Sequence, residues 1–374
     1  MATGEVDKDF GEALGRVILR DEITPSDVER LLAADGDEVS ALVAAADQAR
    51  RQDVGDIVTY VRNRNINFTN ICTGSCSFCG FRRNRDDPDA YVLSLEQIKM
   101  KVSEALKAGA TEICLQGGLH PDFGLDDYLR IIRTVRSVSK TVHIHAFSPA
   151  EIDHICRQEG MDLYEVLLAL RESGLDSVPG TAAEILSDRV RGVICPNKIR
   201  TARWVEIIKA CHSLGIPTTS TMMYGTVESY GERAKHMLLL REIQLETGGF
   251  TEFVPLPFVS QKTPLGKMGV KSPDLLDSLK VHAVARLVLG DVIRNIQTSW
   301  VKLGPAGAGM MLMAGANDLG GTLMEENITR AAGGTVVCLS AEELEGIALA
   351  AGRIPAERTT TYRILKIRWP GGVA

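Results

Sequence analysis

No stretch of the 374-residue chain approaches the roughly 20 consecutive apolar residues that a membrane-spanning helix needs. Basic residues are not in excess. Lys and Arg number 42 against 48 Asp and Glu, a formal net charge of −6, which argues against nucleic-acid phosphate as the main partner. No linker rich in Pro, Gly and Ser, no low-complexity tract and no short fixed repeat breaks the chain. The first residues, Met1 to Asp9, are polar and acidic, unlike a secretory leader, so a soluble cytoplasmic protein is expected. With 45% apolar and 24% charged residues the chain can bury a large core. The length fits one large α/β barrel or two ordinary domains.

Eight cysteines lie at positions 72, 76, 79, 114, 156, 195, 211 and 338. In a cytosolic chain they do not read as a disulfide framework. Scattered members such as Cys114 and Cys211 sit in apolar patterns and read as small buried hydrophobes. Cys72, Cys76 and Cys79 differ, because a C-x3-C-x2-C loop can turn three thiolates toward one centre. Three thiolates suit a soft metal or an iron–sulfur cluster. A closed zinc site or a ferredoxin-type cluster wants four ligands, and no further C-x2-C or C-x2-H pair completes either. Three cysteines on a four-iron cube leave one iron open. Unrelated buried thiols, or a zinc loop completed by a distant histidine, stay open as alternatives at this point.

The first 60 or so residues read as helical, with Thr24-Pro25-Ser26-Asp27 as a helix start and Val28, Leu31, Leu32, Val39, Leu42, Val43 and Ala46 at helical spacing. Strand and helix signals then alternate. Strands are expected at 65–69, 111–116, 142–146, 176–178, 218–222, 252–255, 296–299 and near 317–319. Helices are expected over about 94–108, 125–137, from 149, from 163, and over about 201–214, 229–247, 273–289 and 341–351. Ser94-Leu95-Glu96-Gln97 is a capping box. About eight strand–helix units over some 270 residues fit a parallel (β/α)8 barrel better than an open sheet. The division expected is a helical extension over 1–60 and a barrel core with C-terminal additions over 61–374. Chemistry in such barrels sits at the C-terminal mouth. The strand-end residues Gln116, His145, Ser148, Ser220, Thr221, Tyr224 and Asn317 are therefore expected to gather there with the cysteine loop.

Cys72-x3-Cys76-x2-Cys79 after a barrel strand, with Phe78 before the last cysteine, resembles the radical S-adenosylmethionine (SAM) enzymes. Further phrases narrow the resemblance to the tyrosine-using halves of deazaflavin (FO) synthase, in coenzyme F(420) biosynthesis. They include Asn65-Ile-Asn-Phe-Thr-Asn-Ile-Cys72, Leu115-Gln-Gly-Gly-Leu-His-Pro-Asp122, His143-Ile-His-Ala-Phe-Ser-Pro149 and, most specific, Asn317-Asp-Leu-Gly-Gly-Thr-Leu-Met-Glu-Glu-Asn327. The resemblance runs from about residue 55 to 366.

It implies a radical SAM (β/α)8 TIM-type barrel with one [4Fe-4S] cluster on Cys72, Cys76 and Cys79, the open iron chelated by S-adenosylmethionine. It implies cleavage of that cofactor to methionine and a 5′-deoxyadenosyl radical, then release of 2-iminoacetate from L-tyrosine. The 4-hydroxybenzyl unit would join C5 of 5-amino-6-(D-ribitylamino)uracil. An electron donor and a separate radical enzyme that closes the ring are implied as partners. Phe78, Gln116, Gly117, Gly118, Glu184 and Arg203 are implied as cofactor contacts, and His145, Ser148, Tyr224 and Asn317 are substrate-side candidates. Gly80 departs from the alanine common in relatives. Enzymes of futalosine-dependent menaquinone synthesis share the cysteine loop and Gln-Gly-Gly, and are the nearest alternative. A non-catalytic zinc or iron–sulfur protein is the alternative of another class.

Overall fold

A computed structural model describes residues 7–334 and 338–369, and the backbone of 372–373. In chain order come α1 (Lys8–Leu19), α2 (Pro25–Leu32), α3 (Asp37–Val54), β1 (Ile57–Val61), β2 (Asn63–Asn67), α4 (Leu95–Lys107), β3 (Glu112–Gln116), α5 (Leu125–Val138) and β4 (His143–Ala146). Next are α6 (Pro149–Glu159), α7 (Leu163–Glu172), α8 (Asp188–Ile194), α9 (Thr201–Ser213), β5 (Thr218–Tyr224), α10 (Tyr230–Thr247) and β6 (Phe250–Pro257). The last are α11 (Pro264–Lys267), α12 (Leu275–Leu289), α13 (Trp300–Met313), β7 (Asp318–Gly321), α14 (Asn327–Ala332), α15 (Ala341–Ala350), β8 (Ile354–Arg358), β9 (Ile364–Trp369) and β10 (Gly372–Val373).

Backbone pairing runs in a parallel ring. Asn65 of β2 lies beside Cys114 of β3, Cys114 beside His145 of β4, and His145 beside Ser177. Val178 bridges to β5, β5 pairs with β6, Phe253 bridges to Ile296, and Gln297 to Asp318 of β7. β7 pairs with β1, and the ring closes where the Asn65 N–H donates to the Leu323 carbonyl at 3.0 Å. These are the eight staves of a (β/α)8 barrel, an α/β fold. Two are shorter than the sequence suggests. Asp176 accepts from the Ile144 N–H and Asn317 Oδ1 from the Ile296 N–H, so side chains replace part of the ladder and only bridges remain.

The helix starts follow their capping chemistry. Thr24 and Asp27, Ser94 and Gln97, and Ser148 and Glu151 form capping boxes, with proline at the first helical position of α2 and α6. α2 packs on α10 and α3 on α12. Phe10, Val17, Leu31, Leu32 and Leu42 enter the same apolar cluster as the barrel's outer helices. β1 runs across residue 60 and pairs on its other edge with β8. The sequence reading missed β1, β8, β9 and α13. α13 is broken by Gly304 (φ +71°) and Pro305, which hides its periodicity.

Candidate active site

The cysteine loop leaves β2 at the C-terminal mouth and is fixed by backbone bonds from all sides. The Cys72 N–H donates to Arg83 O (3.1 Å), Thr73 N–H to Leu119 O (2.9 Å) and Ser77 N–H to Ile194 O (2.8 Å). Cys72 Sγ accepts from the Leu119 N–H at 3.2 Å and the Gly74 N–H at 3.3 Å, which fixes its direction. Burial pushes the Cys76 thiol up to about 12, opposed by Lys198. All three cysteines line one end of a cavity of about 460 Å³ that descends into the barrel. Among the described residues no three His, Cys, Asp or Glu side chains converge on a single-ion site. Three thiols on one loop lining one cavity are a donor set that suits an iron–sulfur cluster.

Gly117 and Gly118 are packed tightly. A Cβ on Gly118 would lie 2.3 Å from the Ile71 carbonyl oxygen and 2.8 Å from Cys72 Cβ; one on Gly117 would lie 2.5 Å from the Phe68 ring. Their lack of a side chain lets β3 press against the cysteine loop. Gly80 has a similar cause, because a Cβ there would meet the Ala331 carbonyl at 2.6 Å under α14.

Beside the cysteines, Phe78, Gln116, Gly117, Gly118 and Glu184 all line the cavity. Glu184 is buried at a left-handed backbone position (φ +43°) and accepts from Lys198 Nζ at 2.7 Å. Its other oxygen, 3.6 Å from Arg191, has no hydrogen-bond partner among the described residues. A buried carboxylate oxygen left unpaired beside a cavity is costly unless a ligand donates to it. Burial pulls the Lys198 pKa down, but Glu184 and the thiols outweigh it and hold it above the usual range. Lys198 also lies 5.6 Å from the Phe78 ring centre. Glu151 accepts from the Gly117 N–H at 3.0 Å, and burial pushes its carboxyl up to about 7 against bonds from Ser148 and Gly117.

The deeper part of the cavity is polar. Asn63 donates to Glu112 at 2.7 Å. Arg358, from the end of β8, grips Asp318 with two bonds of 2.6 and 3.0 Å and stacks 3.9 Å from the Tyr362 ring centre. Tyr362 donates to Glu252 at 2.6 Å. Burial raises the Glu252 pKa, opposed by Arg358.

His145, Ser148 and Thr221 line the cavity, although the Ser148 hydroxyl is already spent on the α6 capping box. Four site expectations are corrected. Arg203 is not among the lining residues; it pairs with Asp153 at 2.7 Å and Glu206 at 2.9 Å on the helical layer. Tyr224 points out of the barrel, fully buried, and donates to Ser278 at 2.9 Å. Asn317 precedes β7, at the wrong end of the strand, where Arg286 donates to it at 2.6 Å. Ser220 likewise faces outward and donates to Glu252 O. Sequence reasoning did not single out Lys198, Glu151, Glu112 or Arg358. Lys198 and Arg358 do stand inside two further phrases that share the resemblance, Ile194-Cys-Pro-Asn-Lys198 and Gly352-Arg-Ile-Pro-Ala-Glu-Arg-Thr-Thr-Thr-Tyr362, which was their only signal.

Comparison with known proteins matches this geometry. The profile of the Radical SAM superfamily covers residues 66–240, and that of the CofH/MqnC C-terminal region covers 247–370. The chain is 53% identical to the 5-amino-6-(D-ribitylamino)uracil–L-tyrosine 4-hydroxyphenyl transferase of Archaeoglobus fulgidus, over 86% of this chain and 92% of that one. It is 46% identical to the protein of that name from Cyanothece sp., over 98% of this chain and all of the relative. The chain belongs to the radical SAM superfamily. Radical SAM enzymes use a [4Fe-4S] cluster and S-adenosylmethionine, and Cys72, Cys76 and Cys79 form the family's C-x3-C-x2-C motif. The radical SAM barrel is also seen in solved structures. Methylornithine synthase superposes with a TM-score of 0.72 at 20% identity, over 92% of this chain and 97% of that one. The hydrogenase maturase HydG superposes with 0.73 at 15%, over 96% and 78%. Among the described residues no helix is long and apolar enough to cross a membrane.

Proposed function

We propose that this chain joins the 4-hydroxybenzyl group of L-tyrosine to C5 of 5-amino-6-(D-ribitylamino)uracil, as the name of its relatives describes. The observation that carries the proposal is 53% identity to such a transferase over most of both chains. The unpaired Glu184 oxygen beside three cysteines supports it from the site itself. The iron–sulfur cluster with S-adenosylmethionine supplies one-electron cleavage of a carbon–sulfur bond and hence a carbon radical. The protein's own part is to hold, orient and keep dry. Cys72, Cys76 and Cys79 would grip three irons. Glu184, kept in place by Lys198 and Arg191, would receive hydroxyl or ammonium donors of the cofactor, with Phe78, Gln116 and the Gly117 backbone around it. His145, Glu112, Asn63 and Thr221 would face the polyhydroxylated substrate, whose groups need many donors and acceptors.

A separate ring-closing enzyme and an electron donor complete the reading, as does a cytoplasmic site. The helices α1, α2 and α3 are proposed as an extension of the barrel, which begins with β1, just before the expected boundary at residue 60. Anaerobically reconstituted, dithionite-reduced protein should form 5′-deoxyadenosine in the presence of tyrosine and, with the diaminouracil, the benzyl adduct. Product from dehypoxanthine futalosine, with none from tyrosine, would overturn it.

A further inference from the structure

Ser177 sits between two imidazoles. Its hydroxyl oxygen is 2.7 Å from Nδ1 of His145 and 2.7 Å from Nε2 of His143. Both histidines lie on β4 two residues apart, hence on one face, in register with Glu112 and Cys114, which line the cavity. His145 is buried and lines the cavity; His143 is half-buried, one layer nearer the N-terminal end of the barrel. A hydroxyl carries one proton, so it can donate to one ring while accepting from the other. The three groups thus form a continuous line from the cavity toward the end of the barrel opposite the cysteine loop. A packing role would be met by the His145–Ser177 bond alone. The second imidazole on the same hydroxyl makes a conduit.

The proposed reaction has a proton to dispose of. Tyrosine, the diaminouracil and the sulfonium cofactor enter. The adduct, 2-iminoacetate, methionine and 5′-deoxyadenosine leave, with one proton over. The carbon–sulfur bond and the tyrosine Cα–Cβ bond break, the C5–CH2 bond forms, and a hydrogen passes from the tyrosine amine to the 5′ carbon. The exocyclic nitrogen on C6 then gives up its proton as it becomes an imine, and the electron taken in at the start returns to the iron–sulfur acceptor. In a water-poor barrel that proton needs a base and an exit.

We infer that His145, Ser177 and His143 carry this proton from the C6 nitrogen out through the N-terminal end of the barrel; the inference rests on the transferase reading. Glu112 on β3 and Arg358 on β8 face His145, and Glu112 with the Asp176–Arg136 pair faces His143. Burial lowers the pKa of both imidazoles, His145 to about 4, so a proton that reaches either ring is held weakly and passes on. His145 is then the group that touches substrate, and Ser177 and His143 act through it.

The test compares Ser177→Ala, Ser177→Thr and His143→Gln with the unaltered holoenzyme. Adduct formed per 5′-deoxyadenosine is measured in H2O and D2O across the neutral range. Ser177→Ala and His143→Gln should lose about tenfold or more of the adduct yield while still cleaving the cofactor, and Ser177→Thr should restore it. Wild-type yield and isotope effect in Ser177→Ala would overturn the relay. Failure of the unaltered enzyme to form adduct overturns the transferase reading instead. In that case 15N spectra of histidine-labelled protein still decide the relay. One bare and one protonated nitrogen facing Ser177 supports it; two protonated nitrogens refute it.

Discussion

Gly118→Ala tests how the barrel shapes the cysteine loop. The new Cβ would lie 2.3 Å from the Ile71 carbonyl oxygen, where an ordinary contact starts near 3.4 Å, so backbone must retreat by about 1 Å. The retreating atoms belong to Ile71, whose N–H donates to Thr69 Oγ1, and to Cys72, whose N–H donates to Arg83 O, so no flexible side chain can absorb the shift. Overpacking of this kind costs about 1–3 kcal/mol. The larger effect falls on the thiol. Ligand positions tolerate about 0.2 Å, and Cys72 also receives its Leu119 N–H bond from the displaced turn. The expected result is a folded protein that keeps far less iron after anaerobic reconstitution. Gly192→Ala is the control. Gly192 lies inside α8 with nothing within 4 Å, so alanine should add about 0.5–1 kcal/mol and leave iron content unchanged. Wild-type iron and stability in Gly118→Ala would refute the reasoning.

Three further outcomes follow from the same geometry. Glu151 has a folded pKa of about 7, raised by burial above the ordinary 4.5, so the native state holds more protons and stability falls as pH rises through that interval. Glu151→Gln should flatten that fall, worth about 3 kcal/mol at most, in denaturant titrations at several pH values. Asp318→Asn removes the charge that pairs with buried Arg358 and should cost about 3–5 kcal/mol of unfolding free energy, whereas breaking the exposed Lys8–Glu12 pair should change nothing measurable. Tyr224→Phe deletes the bond to Ser278, so stability should drop by about 1 kcal/mol while adduct formation stays as before, since the residue faces away from the cavity.

The barrel was legible because its causes are local. Capping boxes at Ser94 and Ser148, apolar strands of four to eight residues and glycine stops each fix one element, and the alternation fixes the class. The cysteine trio was legible because three thiols within eight positions need only a loop to meet. β1 and β8 were not, since their pairing joins distant parts of the chain: β1 lies against β8 nearly 300 residues on. No window of sequence carries that information.

The site misses have a sharper cause, and two of them were avoidable. Residues on a strand alternate between faces. Thr219, Thr221 and Met223 line the cavity, which sends Ser220, Met222 and Tyr224 outward into the helical layer. A reading that placed Ser220, Thr221 and Tyr224 together at the mouth therefore contradicted the strand's own period, and parity alone would have removed two of them. Asn317 needed a second fact, the strand's direction, since a polar residue before β7 serves the bottom of the barrel and not its mouth. Arg203 needed a third, its partner, because a helix arginine turns to a nearby buried carboxylate, here Asp153 on α6. Lys198 shows the converse: it had no motif of its own, yet the carboxylate it pairs with was already singled out. Within a barrel, strand parity, strand direction and charge partner, applied in that order, sort catalytic polar residues from structural ones before any coordinates exist.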